Sequence, residues 1–209
     1  MPPRRMNLTP DALDNRALRP VTSSGMTAIY LLRHGEADYQ PVRQRQWPGS
    51  MADLAPLSPR GSRQAAAAAE NLAGVGATRL VSSPFTRAVQ TAAAVACRTG
   101  LTIGVEFDLH EWLPDDAFGW QTHAEVLEFV ADFDRNGGEW PPGQRRSWEP
   151  LSLVRLRAIE ALRRSLAGMS GGALIAVSHE MVIRALTGEV KTPTGEFRVI
   201  SSADLPTAG

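Results

Sequence analysis

Two short apolar runs in this chain each end on a histidine, and that pairing constrains the fold more than any other feature. Residues 27–32 read TAIYLL and lead directly into Arg33-His34-Gly35-Glu36, while residues 173–178 read ALIAVS and lead into His179. Runs this short and apolar suit central strands buried on both faces. Helical patterns lie between and beyond them. An alanine-rich stretch over residues 60–73 is stopped by Gly74 and Gly76, and Ser83-Pro84 opens a helix running to about Arg98. Residues 122–135 carry Val126, Phe129, Val130 and Phe133 at helical spacing, and a long helix is expected over residues 153–169 with Ser152 as its N-cap. Further strands are expected at residues 78–82 and 102–106, a polar loop up to Pro59, a Trp- and Asp-rich functional loop over residues 109–121, and irregular chain over residues 137–150. Strands alternating with helices predict an α/β fold, a three-layer sandwich with a mostly parallel central sheet and helices on both faces. In such sheets ligands bind beyond the C-terminal ends of the strands, where both histidines fall.

Composition narrows the function classes. At 209 residues the chain suits one core, read as a single domain over residues 26–209 after a flexible extension over residues 1–25 that holds Pro2, Pro3, Pro10 and Pro20. Basic and acidic residues number 22 each, so no whole-molecule field draws in nucleic acid or an anionic membrane, and any anion preference must come from locally placed arginines. The first residues lack the apolar stretch of a secretory signal, and no run reaches bilayer length, so the expected location is cytoplasmic. The lone Cys97 provides neither an internal disulfide nor a thiolate cage and reads as a packing residue. His110 and His123 have no Cys partner or paired HxxxH spacing, and Gly74-Val75-Gly76 lacks the lysine or third glycine of a nucleotide loop, so neither a metal nor a cofactor is expected.

The run Leu31-Leu32-Arg33-His34-Gly35-Glu36 resembles the signature of the histidine phosphatase (phosphoglycerate mutase-like) superfamily, branch 1, in which a strand ends in Arg-His-Gly and the histidine becomes phosphorylated. Further landmarks follow in order: Leu57-Ser58-Pro59-Arg60-Gly61 opening a helix, Ser82-Ser83-Pro84 followed by Arg87, Glu111 ahead of Phe118-Gly119, and Val177-Ser178-His179. The resemblance covers residues 27–186. It implies a phosphoglycerate mutase-like fold, no cofactor, a small phosphate ester as partner, His34 as nucleophile, Arg33, Arg87 and His179 as phosphate ligands, and Glu111 as proton donor. Asp115 and Asp116 in the same loop compete for that last role, as does Glu180, since one branch of the superfamily carries its acid directly after the second histidine. Gln40 stands six residues after His34, where many relatives have an asparagine touching the phosphate; it is the candidate substrate contact and a departure from the pattern.

The chemistry asks for this set of side chains. Unaided hydrolysis of phosphate monoesters is slow enough that enzymes accelerate it by up to ~10²¹, so a covalent route that divides the reaction is useful. A neutral imidazole can attack phosphorus in line, planar guanidinium forks match the phosphate oxygens, and a carboxylic acid can protonate the leaving alkoxide. Arg87 falls in the first turn of its helix, where a cation opposes the helix dipole unless an anion binds there too. Around the pocket, Trp47 or Arg43 and Arg45 can line the wall; packing under long loops is the commoner role for the five tryptophans, Trp47 included, and Arg145-Arg146 reads as a solvated pair or, less commonly, a phosphate patch. Three functions stay open: a phosphatase transferring the group from His34 to water, a mutase returning it to a sugar acid, and a phosphate-binding module without turnover. The modest length favours the first.

Overall fold

Strand β1 (Ala28–Arg33) sends alternate side chains to opposite faces, and both faces are covered. In the computed structural model, which describes residues 26–205, Ile29 and Leu31 join one core cluster while Ala28, Tyr30 and Leu32 join another. Strand β4 (Ala173–Ser178) splits in the same way, with Leu174 and Ala176 on the first side and Ala173, Ile175 and Val177 on the second. The expected extension over residues 1–25 lies outside the described residues.

Helices fill the two outer layers. On one face, α2 (Pro59–Leu72) and α3 (Thr86–Thr99) pack through Ala68, Ala69, Leu72, Ala88, Ala92 and Val95, so the alanine-rich run places small side chains where the helices approach the sheet. On the other face, α5 (Leu151–Leu166) and α6 (Glu180–Thr187) contribute Val154, Ala158, Leu162, Val182 and Ile183, and α4 (His123–Arg135) adds Phe133. The three-layer α/β sandwich expected from the sequence is the architecture observed.

With β2 (Ala77–Ser82), β3 (Ile103–Val105) and β5 (Phe197–Ser201), the sheet order is β3-β2-β4-β1-β5. All neighbours pair in parallel except β5, which runs antiparallel to β1 and completes the edge. In the central β1–β4 pair the register sets Arg33 opposite Ser178. The residues that follow, His34 and His179, therefore leave the sheet side by side.

Several local expectations are corrected. Strand β5 lies where no element was expected; its exposures barely alternate, so its sequence carries little strand signal. The polar loop before Pro59 contains a short helix, α1 (Gln40–Gln44), and a 3₁₀ turn, Gly49–Leu54. Helix α5 begins at Leu151 after Pro150, so Ser152 is not its cap; the Ser152 hydroxyl and amide both donate to the Glu139 carboxylate instead. Cys97 faces solvent on α3 rather than packing. Trp112, Trp120 and Trp148 are buried as expected, whereas Trp47 is exposed beneath Arg45. Arg145 and Arg146 are paired with Asp116 and Asp132.

Candidate active site

Adjacent strand ends bring the two histidines together. The His34 amide donates to the Ser178 carbonyl at 3.1 Å, and the His34 and His179 rings meet edge to face with centroids 5.0 Å apart. Both side chains are buried.

Two contacts fix the tautomer of His34. Its Nδ1 lies 2.6 Å from the Gly35 carbonyl, which can only accept, so Nδ1 carries the proton. Its Nε2 receives the Nε–H of Arg87 at 3.2 Å, and because a guanidinium can only donate, Nε2 holds the lone pair. Burial, reinforced by the Arg87 charge, pushes the His34 pKa down to about 3, so the ring is neutral across the physiological range. His179 is likewise held well below its ordinary value by burial, with the Arg87 charge adding to it.

Helix α3 and the turn leading into it supply the next layer. The Ser83 amide donates to the Val177 carbonyl at 2.9 Å, placing the Ser83 hydroxyl 2.7 Å from His179 Nε2. Phe85 packs on the His179 ring, and the Arg87 guanidinium lies over Phe85 at 5.0 Å. One turn on, Thr91 accepts the Gly35 amide at 3.1 Å and donates to the Arg87 carbonyl at 2.8 Å, tying the histidine loop to the helix that carries the arginine.

The Gly35 loop is also pressed against the start of α2. A Cβ on Gly35 would stand 2.3 Å from the Gly61 carbonyl oxygen, and one on Gly61 would stand 2.0 Å from that of Glu36. Ser58 caps α2 by accepting the Gly61 amide while its hydroxyl donates to Glu36, at 2.9 and 2.8 Å. The motifs Arg33-His34-Gly35-Glu36 and Leu57-Ser58-Pro59-Arg60-Gly61 thus meet as one packed unit, in which neither glycine has room for a side chain.

Glu111 reaches the site from the chain after β3. Its Oε1 accepts the amides of Trp112 and Met181 at 2.9 and 3.2 Å, and the second of these sets the carboxyl beside the first turn of α6, next to His179. Burial raises its pKa, opposed by those amides and by the charges of Arg87 and Arg33. The competing acids have other partners. Asp115 accepts the amides of Ala117 and Gly119, Asp116 pairs with Arg145, and Glu180 pairs with Arg33 at 2.7 Å.

Arg33 is more tightly held than its position at a strand end suggested. Besides Glu180, its Nη1 donates to the Thr192 carbonyl at 2.6 Å, and its buried Nε has no hydrogen-bond partner among the described residues. Gln40 does not join the group: it opens α1 with an exposed side chain, and its amide turns back to Asp38. Among the described residues no cluster of three or more His, Cys, Asp or Glu side chains is placed to hold a metal ion, and no helix is long and apolar enough to cross a membrane.

Sequence reasoning missed Asp53. It lies in the Gly49–Leu54 turn, with its carboxylate 3.6 Å from Arg87 and the neighbouring Ala52 carbonyl 3.4 Å from the same Nη1. Burial lifts its pKa to about 6; Arg87 opposes that shift and the Glu111 charge adds to it. A lone aspartate in a polar loop carries no periodic or motif signal, and only the fold shows that the turn covers Arg87.

With this geometry in place, comparison with known proteins gives the family. The sequence pattern of the histidine phosphatase superfamily (branch 1) matches residues 29–203. The chain belongs to that superfamily. Bifunctional protein Rv2228c of Mycobacterium tuberculosis is 32% identical over 170 residues, which cover 77% of this chain and 43% of the relative, so the chain spans less than half of that protein's length. A probable phosphoglycerate mutase, GpmB of Cronobacter sakazakii, is 28% identical over 169 residues, covering 79% of this chain and 75% of its own. The solved structure of mycobacterial glucosyl-3-phosphoglycerate phosphatase Rv2419c complexed with VO3 superposes with a TM-score of 0.65 at 24% identity, covering 83% of this chain and 90% of that one, a likeness of fold.

Proposed function

We propose that this protein is a metal-independent phosphomonoesterase that works through a phosphohistidine at His34 on a small phosphorylated metabolite. The observation that carries this reading is the fixed His34 tautomer, in which Nδ1–H is held by the Gly35 carbonyl and the Nε2 lone pair faces Arg87.

The reaction follows from the residues present. His34 Nε2 attacks phosphorus as the P–O bond to the alcohol breaks, and the positive charge that develops on the ring is stabilised through Nδ1–H on the Gly35 carbonyl. Arg87, Arg33 and His179 hold the phosphoryl oxygens as charge shifts onto them. Glu111, whose pKa burial raises, gives its proton to the departing alkoxide. Water then attacks the phosphohistidine and loses its proton to the Glu111 carboxylate; the P–N bond breaks, phosphate leaves, and both residues return to their starting state.

The organic half of the substrate meets the Gly49–Leu54 turn and the loop carrying Phe118 and Trp120. These segments touch, since a Cβ on Gly49 would stand 2.5 Å from the Trp120 ring, and Phe118 stacks on Trp120 with centroids 5.8 Å apart. A mutase reading rests on the similarity to the probable phosphoglycerate mutase and differs only in the acceptor of the second step.

The test is hydrolysis of p-nitrophenyl phosphate in the presence of a chelator, with ³²P trapping of the phosphoenzyme by rapid alkaline quench. Chelator-resistant turnover and an acid-labile, alkali-stable label, both lost in His34→Ala, are expected. Turnover that requires a metal ion, or a label that persists in the variant, overturns the reading. Transfer to a phosphoglycerate in preference to water would instead establish the mutase.

A further inference from the structure

Arg157, one helix away from the phosphate-binding residues, spends its whole guanidinium on the segment that presents Glu111. Its Nε and Nη2 form a two-pronged pair with the Glu149 carboxylate at 2.7 and 2.9 Å, Nη1 donates to the carbonyls of Asp108 and His110 at 2.6 and 2.8 Å, and Nη2 donates to the carbonyl of Glu111 itself at 3.2 Å. A guanidinium has five N–H groups, and these contacts use every one. The pair is shielded, with side-chain exposures of 13% for Arg157 and 12% for Glu149.

Other contacts close the same clamp from both sides. Trp112, next to Glu111, donates its indole N–H to the Glu149 carbonyl at 2.6 Å, and the Glu149 amide donates to the Leu113 carbonyl at 2.9 Å. On the strand side the Ser178 hydroxyl donates to the Leu109 carbonyl at 2.8 Å, and His110 Nδ1–H holds the Glu111 carbonyl at 2.7 Å. Residues 108–111 have no sheet or long-helix ladder to satisfy their carbonyls; the arginine takes the place of one. A planar five-donor fork can bridge three carbonyls and a carboxylate at once, whereas a lysine ammonium, a point charge with three donors, cannot.

We infer that Arg157, locked by Glu149, is a positioning residue that holds the Glu111 carboxyl at the leaving-group side of the phosphate, so that proton donation depends on a side chain that touches no substrate. The inference rests on the proposed role of Glu111 as proton donor. Its signature is selective. An alkyl phosphate needs that proton, because its alkoxide is a poor leaving group, while p-nitrophenolate departs with little help. Loosening the clamp therefore lowers kcat/KM for the alkyl ester more than for the aryl ester. The ratio of the two values within one preparation does not depend on the fraction of enzyme that is folded, so a merely structural role leaves it unmoved.

The experiment measures kcat/KM for glycerol 3-phosphate and for p-nitrophenyl phosphate with the wild type, Glu111→Gln, Arg157→Lys, Glu149→Gln and the double variant Glu111→Gln/Arg157→Lys. Glu111→Gln is expected to lower the alkyl-to-aryl ratio by about 10²-fold. Arg157→Lys is expected to lower it by roughly tenfold and Glu149→Gln by less, and the double variant is expected to match Glu111→Gln alone. Should Arg157→Lys fail to fold, Glu149→Gln carries the same comparison. An unchanged ratio in the Arg157 and Glu149 variants, with Glu111→Gln selective, overturns the positioning role and leaves the proton donor standing. An unchanged ratio in Glu111→Gln itself overturns both.

Discussion

Arg87 Nε caps the lone pair of His34 Nε2 at 3.2 Å, so in the free protein the nucleophile is covered by the group proposed to bind its target. In the proposed reaction a phosphate draws the guanidinium onto its own oxygens before Nε2 is open for attack, which would tie activation of the histidine to arrival of an anion. Arg87→Lys keeps the charge but loses the fork, and is expected to lower kcat/KM on p-nitrophenyl phosphate by about 10²-fold or more. Retention of full activity would show that Arg87 does not bear on the reacting group.

The neutral state of His34 predicts an acid-sensitive fold. Its pKa is about 3 in the folded protein against an ordinary 6.5, so the unfolded chain binds a proton that the native protein refuses between those values. The sign is that stability is fully present above 6.5 and falls as pH drops toward 3, with a slope of about 1.4 kcal/mol per pH unit for each such group. His179 shifts in the same direction and adds to the slope. Urea unfolding from pH 4 to 6.5 should give a shallower pH dependence in His34→Gln than in the wild type by one proton's worth, and equal slopes would refute the burial argument.

Glu111 titrates in the opposite sense. Its raised pKa keeps the acid form populated to higher pH than an ordinary glutamate, and that form is lost as pH rises through the folded value. The kcat/KM profile for an alkyl phosphate should therefore fall on its alkaline side along a limb that is weak for p-nitrophenyl phosphate and absent in Glu111→Gln. Identical profiles for the two esters would argue against Glu111 as donor.

With Arg87 as the proposed phosphate ligand, Asp53 is placed to compete with the substrate for its guanidinium. Above its pKa of about 6 it is an anion beside the phosphate site, and below that value it is neutral. Asp53→Asn should tighten inhibition by inorganic phosphate at pH 7.5 by roughly fivefold, or about 1 kcal/mol. At pH 5, where the wild-type carboxyl is already protonated, the difference should vanish. A pH-independent effect would point to packing instead of charge.

Gly61→Ala tests the contact between the two glycine motifs. The added methyl would enter the Glu36 carbonyl at 2.0 Å, so the backbones must part, at a cost of about 1–3 kcal/mol in stability. Because Gly35 adjoins His34, turnover should drop along with Tm. Unchanged melting and kinetics would mean that the loop yields freely.

The features legible in the sequence were those written in consecutive residues. Apolar runs ending in His34 and His179 mark the central strands, whereas the close approach of Gly35 to Gly61 shows only in the fold. Motif position favours Glu111 over Asp115, Asp116 and Glu180, and in the structure the four acids have different partners. What stayed hidden depends on contacts between distant segments. Strand β5 is defined by its ladder to β1, Asp53 matters only because its turn lies against Arg87, and Arg157 sits in a helix whose sequence looks like an ordinary charged surface.

The register that sets Arg33 opposite Ser178 acts as the site's ruler. One residue of slip between β1 and β4 would carry the histidines about 3.3 Å apart along the strands and turn one of them to the opposite face. The spacing of the two histidines is therefore stored in a dry ladder of backbone hydrogen bonds. Segments that touch neither histidine nor Arg87 can be lengthened, shortened or rewritten without disturbing the distance between His34 and His179, which separates what this scaffold can learn from what it must keep.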